Sequence, residues 1–309
     1  MSRHDADPGT RITVIGDALI DELRDPRGAR EFVGGAALNV AVGLALLGED
    51  VTLVAMLGDD EPATRIRAYL RDYGVRLIES PSALGTSRAI SDRTDGEPRY
   101  EFNEAAQRRR IRFDDATRAA IDEAQLVVVS CFPFDDAEQY ASLVAAIDRP
   151  EQRVVVDGNP RAGMLVDRTV FLANFEDFAS RALLTKVGDE DAELLLGDSL
   201  QAFIDRLRGR QATRGAILAT AGRAGATVSH GDAVVQSGIV ELPGEIVDTM
   251  GAGDATLAAV VHRIAEGGLP RTPEEWHPAL LEAMTIASAT VRHEGALLRI
   301  PPREAVTPS

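Results

Sequence analysis

The sequence predicts an α/β protein: a three-layer α/β/α arrangement with a mainly parallel central sheet and a small β-sheet lid. Three observations carry this. Short apolar runs alternate with helical patterns along most of the 309 residues, the order that builds a parallel sheet with helices on both faces. Two stretches, residues 18–33 and 86–105, break the alternation and read as strand pieces around turns. Late in the chain, a glycine turn opens a helix whose first turn carries an acid.

The apolar runs at 12–15, 51–56, 126–130, 154–157, 183–187 and 216–220 end in small or polar residues and read as strands. Residues 36–47 form a helical pattern of small and apolar side chains, stopped by Gly48. Asp60-Glu61-Pro62 caps a helix running to Tyr73, with Pro62 suited to its first turn. Further helices fit 114–124, 136–148, 189–196, 199–208 and 274–293.

The first irregular stretch turns at Asp25-Pro26-Arg27-Gly28. The second alternates from Thr86 to Arg93, turns at Asp95-Gly96 and continues in Arg99-Tyr100-Glu101-Phe102. Paired with each other, they form a small sheet over the strand ends, where ligands gather in such folds. A lid there keeps water from a reactive intermediate. Residues 226–237 read as a hairpin turning at Gly231-Asp232. With no repeat, low-complexity tract or long linker, one domain over residues 10–305 is expected, with both lid stretches inserted in it.

Composition excludes several classes. The net charge of −16 argues against a nucleic-acid-binding surface. No apolar run approaches the ~20 residues that span a bilayer. The polar N-terminal segment lacks the apolar core of a signal peptide. A single cysteine, Cys131, excludes an internal disulfide and any multi-cysteine metal site. A cytoplasmic protein with no membrane partner is the expectation. His4, His230, His262, His277 and His293 show no metal-ligand spacing and read as surface or packing residues. Phe132-Pro133-Phe134 reads as core and turn.

Lys186 is the only lysine. It lies in Leu-Leu-Thr-Lys-Val-Gly, which fits neither a P-loop nor the lysine setting of protein kinases. Nucleotide binding, if present, needs another device. Asp248-Thr249-Met250-Gly251-Ala252-Gly253-Asp254 supplies one. Leu257, Val261 and Ile264 follow at helical spacing, so the glycines open a helix. The first N–H groups of a helix lack internal partners and carry partial positive charge. Glycines let an oxyanion approach them. An anion hole touching a carboxylate suits phosphoryl transfer: Gly251, Ala252 and Gly253 hold the moving group, and Asp254 takes the proton of the attacking hydroxyl.

Those seven residues resemble the D-T-x-G-A-G-D signature of the ribokinase-like (PfkB) carbohydrate kinases, and the resemblance extends from about Arg11 to about Pro302. Gly34-Gly35-Ala36-Ala37-Leu38-Asn39-Val40-Ala41 is similar to the family's first signature, G-G-x-x-x-N-x-A. Gly16-Asp17-Ala18-Leu19-Ile20-Asp21 resembles the G-E-x-L-x-D of bacterial fructokinase-like members, in which the last acid accepts bonds from sugar hydroxyls. The resemblance therefore implies sugar binding by Asp21, Gly34, Gly35 and Asn39.

Two departures count against ribose. Leu19 stands where ribokinases carry an asparagine, and Ser130-Cys131-Phe132 replaces their glutamate or glutamine. Asp157-Gly158-Asn159-Pro160-Arg161 resembles the D-x-N-x-R of fructokinase-like members, with Arg161 read chiefly as structural. The segment from Lys186 to Asp191 aligns with the family's N-x-x-E, with Gly188 for the asparagine and Asp191 for the glutamate. It implies that Lys186 borders the nucleotide and that Asp191 reaches Mg²⁺ through water. Thr220-Ala221-Gly222-Arg223-Ala224-Gly225 resembles the T-x-G-x-x-G loop beside the nucleotide, placing Thr220, Gly222 and Gly225 there, and Ala287 falls on the helix flanking adenine. A monovalent cation such as K⁺ is implied near Asp248.

The expected activity is an ATP- and Mg²⁺-dependent sugar kinase acting on a primary hydroxyl, fructose first. Kinases for 2-keto-3-deoxygluconate, ribose or a nucleoside are alternatives within the class, though only Phe102 and Tyr100 offer a nucleoside an aromatic clamp. A catalytically silent sugar or nucleotide sensor is the alternative outside it. A homodimer through the lid edge is the expected assembly.

Overall fold

A computed structural model describes residues 9–26, 28–92, 99–149, 152–210 and 215–301. The chain begins with β1 (Arg11–Gly16), β2 (Leu19–Asp25), β3 (Gly28–Gly34), α1 (Ala36–Leu46), β4 (Asp50–Leu57), α2 (Glu61–Asp72), β5 (Arg76–Pro81), β6 (Ser87–Asp92) and β7 (Arg99–Phe102). Then follow α3 (Glu104–Gln107), α4 (Asp115–Glu123), β8 (Leu126–Ser130), α5 (Ala137–Ala146), β9 (Val154–Asp157), α6 (Arg168–Ala179), β10 (Leu184–Gly188), α7 (Asp189–Leu196) and α8 (Leu200–Arg210). It ends with β11 (Ala216–Thr220), β12 (Ala226–His230), β13 (Ala233–Ser237), α9 (Ala252–Gly267) and α10 (Pro273–Thr290).

Among the described residues, nine strands form the central sheet in the order β13-β12-β11-β10-β9-β8-β1-β4-β5. The run from β11 to β5 is parallel, and β12 and β13 join as an antiparallel hairpin. Strands of such a sheet bury both faces, and their sequences show it. Val14, Val128, Val155, Leu184 and Leu218 face a core with α1, α2, α9 and α10. Ile15, Val127, Val129, Val156 and Val187 face a second core with α4 to α8, where Phe134, Phe171, Phe175 and Phe178 pack together. Phe132 and Phe134 are core, as expected.

The lid is a separate four-stranded sheet, β3-β2-β6-β7. β2 pairs antiparallel with β3 and parallel with β6, so the two irregular stretches do meet. Phe102, on β7, joins a small apolar cluster with Ala36, Ala106, Cys131 and Met164, which seats the lid on the strand ends. The turn at Asp95-Gly96, Arg27 of the first turn, and His4 lie outside the described residues.

Three expectations needed correction. The strand expected at 183–187 is Leu184–Gly188, because Leu184 pairs with Ala216 and Val155 at the start of the ladder. Helix 274–293 stops at Thr290, where Val291, Arg292 and His293 close onto Ala287, Ala289 and Thr290 carbonyls. β5, α3 and α6 add elements beyond the predicted set. β5 is an edge strand whose Arg76 and Glu79 hide the apolar signal.

Candidate active site

Neighbouring strands end in polar residues at one edge of the sheet. Gly16 stands beside Ser130, Ser130 beside Asp157, and Asp157 beside Lys186 in the parallel registers. Asp17 follows β1 and is buried; its carboxylate accepts from the Ala37 N–H at 2.9 Å, so it caps α1. Cys131 and Asn159 follow β8 and β9 with φ of 51° and 41°. Left-handed backbone at two non-glycine residues is strain of the kind that collects at functional sites.

Two helices aim their N-termini at this edge. Gly35 is the N-cap of α1 and Gly251 the N-cap of α9. Gly251 adopts φ 75°, and a Cβ there would lie 2.6 Å from the Ala296 backbone. Glycine is therefore required twice over, for conformation and for space. Among the described residues, no acceptor meets the Gly253 or Asp254 N–H. The glycine turn thus presents these N–H donors at a helix N-terminus, a setting that suits an anion.

Asp254 is buried in the first turn of α9. α1 packs on α9, and this brings Asn39 Nδ2 to 2.8 Å from Asp254 Oδ2. Burial pushes the Asp254 carboxyl up; the Asn39 hydrogen bond and the charges of Lys186 and Arg161 oppose it. A carboxylate with a raised pKa is a stronger base, provided it still ionises at working pH. Asn39→Ala removes a bond that favours the charged form. The acid limb of the kcat/KM profile is then expected to move to higher pH, and an unmoved limb would show that Asn39 does not set this ionisation.

Asp21 lies on the lid strand β2 and reaches towards Gly34, where a Cβ would meet its Oδ2 at 2.1 Å. Glycine at this position is what makes room for the acid. Burial, with Asp17 nearby, raises the Asp21 pKa to about 7. Its charged form therefore dominates only above about pH 7.

Lys186 is buried, with Nζ 3.1 Å from Asp157 Oδ2 and 3.3 Å from Oδ1. A Cβ on Gly253 would lie 3.4 Å from the same Nζ. The only lysine of the chain thus sits against the glycine turn that opens α9. Burial works against its charge, but Asp157, Asp191 and Asp254 outweigh that and hold its pKa above the usual value. Burial raises the Asp157 pKa, with the Lys186 ammonium opposing.

The other predicted residues fall into two groups. Asp191 Oδ2 accepts from the Gly188 N–H at 2.7 Å, so one of its oxygens caps α7. Thr220 pairs with Gly188 across β11 and β10. Gly222 and Gly225 shape the turn after β11, and Ala287 lies in the last turns of α10, which packs on β12 and β13. No described hydrogen bond joins these last three to Asp254. Asp248 is buried, accepting from Met250 N–H at 3.1 Å and Gly295 N–H at 3.3 Å, and so ties the anion-hole turn to the C-terminal segment. Arg161 is half-exposed and 3.5 Å from Glu190.

Arg109, absent from the predicted set, is buried and donates to the Cys131 carbonyl at 3.1 Å. A buried arginine amid Arg108-Arg109-Arg110 gives no periodic signal. Asp157 and Asp17 were visible as acids ending apolar runs, but not as members of the site. Among the described residues, no group of three or more histidine, cysteine or acidic side chains could hold a metal directly.

The family model described as pfkB family carbohydrate kinase matches residues 10–302. A fructokinase of Klebsiella pneumoniae is 29% identical over 303 residues, covering 94% of this chain and 96% of its own. A solved fructokinase of Xylella fastidiosa with bound ATP superposes with a TM-score of 0.74 at 22% identity, over 92% of this chain and 93% of that one. A solved aminoimidazole riboside kinase of Salmonella enterica gives 0.71 at 20% identity, over 93% and 95%. The two structures show the fold, ribokinase-like as the sequence predicted. The match over nearly the whole sequence shows that the chain belongs to the pfkB family of carbohydrate kinases.

Proposed function

We infer that this chain, a member of the pfkB family of carbohydrate kinases, is a phosphotransferase that uses ATP and a divalent metal to phosphorylate a sugar hydroxyl. We propose that the acceptor is a primary hydroxyl of a small sugar, fructose first, and that Asp254 is the general base. One observation carries the reading. A buried carboxylate with a raised pKa stands on the same helix turn as N–H donors that lack acceptors. Base and anion hole are then fixed to each other by a single turn of backbone.

The roles follow from position. Asp21, Gly34, Gly35 and Asn39 surround the sugar. Its primary hydroxyl points at Asp254, which removes the proton as the oxygen attacks the γ-phosphorus and the bond from that phosphorus to the β,γ-bridging oxygen breaks, releasing ADP. The N–H groups at Gly251, Gly253 and Asp254 stabilise charge on the phosphoryl group in flight, while the Ala252 N–H, donating to the Thr249 carbonyl at 3.3 Å, holds the turn in shape. Lys186, against Gly253, adds a full positive charge on the phosphate side. Thr220, Gly222, Gly225 and Ala287 flank the rest of the nucleotide. The Asp191 oxygen not spent on the α7 cap suits contact through water with a Mg²⁺ ion, which would neutralise phosphate charge when bound. A potassium ion beside Asp248 would act on the same turn, since the Asp248 carboxylate already holds Met250 N–H.

Asp21 gives this reading a pH signature. Its carboxylate accepts hydroxyl hydrogens only when charged, and its pKa is about 7. The KM for sugar is expected to fall as pH rises from 6 to 8. Asp21→Asn should raise that KM by about tenfold or more, the cost of losing hydrogen bonds to a charged group, with the KM for ATP unchanged. A parallel rise in both would place Asp21 outside the sugar subsite.

The substrate is tested by ADP release with MgATP over fructose, ribose, 2-keto-3-deoxygluconate, fructose 6-phosphate and adenosine. Preference for fructose supports the proposal. Preference for another member keeps the kinase and replaces the sugar.

A further inference from the structure

The Asp157–Lys186 pair has no evident purpose as a stabiliser. Both side chains are taken almost wholly from water, at 0% and 7% exposure. Desolvating two charges costs several kcal/mol on the order-of-magnitude scale, and an apolar pair of similar volume often serves stability as well or better. The acid is also poorly satisfied. Asp157 Oδ2 lies near Nζ but has no hydrogen bond of acceptable geometry, and the neighbouring Ser130 hydroxyl has none either. Meanwhile the lysine faces three acids at once: Asp157, Asp191 and Asp254 all act on its charge.

The register explains which acid holds it. Asp157 and Lys186 are direct partners of β9 and β10, so their side chains leave the sheet on the same face. That face is the one under α1 and α9, since Val155 and Leu184 two residues earlier pack there. From this anchor the ammonium reaches the place where a Gly253 side chain would begin. Without the anchor, the same ammonium is left to Asp191 and Asp254. Pairing with Asp254 would neutralise the proposed base and draw the cation away from the phosphoryl position.

We infer that Asp157 is a positioning residue: it fixes the Lys186 ammonium beneath the anion hole and keeps it from closing onto Asp254. This rests on the reading of Lys186 as a phosphoryl-side cation. The Asp157 side chain is wholly buried against Lys186, and its effect on the reaction passes through that lysine.

A double-mutant cycle with Asp157→Asn, Lys186→Met and the combined variant tests it. The readouts are kcat, both KM values, thermal melting, and calorimetric affinity for ADP and for a non-hydrolysable ATP analogue. Asp157→Asn is expected to lower kcat about 10- to 100-fold, less than the roughly 100- to 1,000-fold of losing an electrostatic donor outright, because the ammonium is displaced and not removed. It should weaken the ATP analogue by a similar factor, with ADP affinity and sugar KM within about twofold. In the Lys186→Met background the same change should cost nothing further. An equal loss of kcat in both backgrounds overturns the inference, as does an Asp157→Asn enzyme that keeps wild-type kcat and analogue affinity. If Lys186→Met alone behaves as wild type, the phosphoryl reading of Lys186 falls, and the inference with it. Asp157→Glu keeps the charge but shifts it by one methylene, and it carries the same cycle if Asp157→Asn does not fold.

Discussion

Asp254→Asn is expected to lower kcat by about two to four orders of magnitude, the usual worth of a positioned base. The substitution is nearly isosteric. Its amide oxygen still accepts from Asn39, which now lies 2.8 Å from the carboxylate. The N–H groups of the turn are backbone and do not change. ATP affinity and sugar KM should therefore stay close to wild type, and the loss should fall on kcat alone. Stability should hold or rise. Asp17, Asp21, Asp157 and Asp254 all carry pKa values raised by burial, so the folded protein binds their protons more tightly than the unfolded chain does. Such groups favour the fold at acidic pH, and that contribution is lost as pH rises towards and through their folded values. Removing the Asp254 charge relieves chiefly its desolvation cost at neutral pH. An inactive variant with an unchanged or higher melting temperature is the expected pair of results. Loss of kcat together with collapse of the fold would mean that Asp254 is structural.

Gly251→Ala should damage both the fold and the reaction. A non-glycine residue at φ 75° costs roughly 1–2 kcal/mol before any contact is counted. The new methyl also meets Ala296 Cα, Cβ and O at 2.6 Å, and most of that is backbone that cannot rotate away. A total of about 2–4 kcal/mol is expected, seen as a lower melting temperature. The turn must also shift, carrying the Gly253 and Asp254 N–H groups from their positions. Loss of oxyanion donors typically costs two to three orders of magnitude in kcat. Gly267→Ala at the far end of α9 is the control, because a Cβ there meets nothing within 4 Å. Equal effects of the two substitutions would remove the special role of the turn.

Much of the fold was legible because the central strands bury both faces and so read as unbroken apolar runs. β5 was not, since an edge strand tolerates Arg76 and Glu79 among its apolar residues. α6 carries Phe171, Phe175 and Phe178 at helical spacing behind an Asp167 cap, a signal present in the sequence and passed over. The site divides in the same way. The Gly-Ala-Gly-Asp turn and the Gly34-Gly35 start of α1 are local, so their geometry follows from neighbours in the chain. The bond from Asn39 to Asp254 joins residues 215 apart. It exists because α1 packs on α9, which no local pattern states. The pairing of Asp157 with Lys186 depends on β9 lying beside β10 in one register, and a slip of one residue would send the two side chains to opposite faces. Chemistry set by strand order and register is invisible until the sheet is assembled.

The most direct measurement is phosphorus NMR of the reaction of purified protein with MgATP and fructose, run beside Asp254→Asn. The account predicts a sugar phosphomonoester on a primary carbon growing in step with ADP, and its near absence in the variant. Inorganic phosphate in place of a sugar ester, or equal product from the variant, would contradict it.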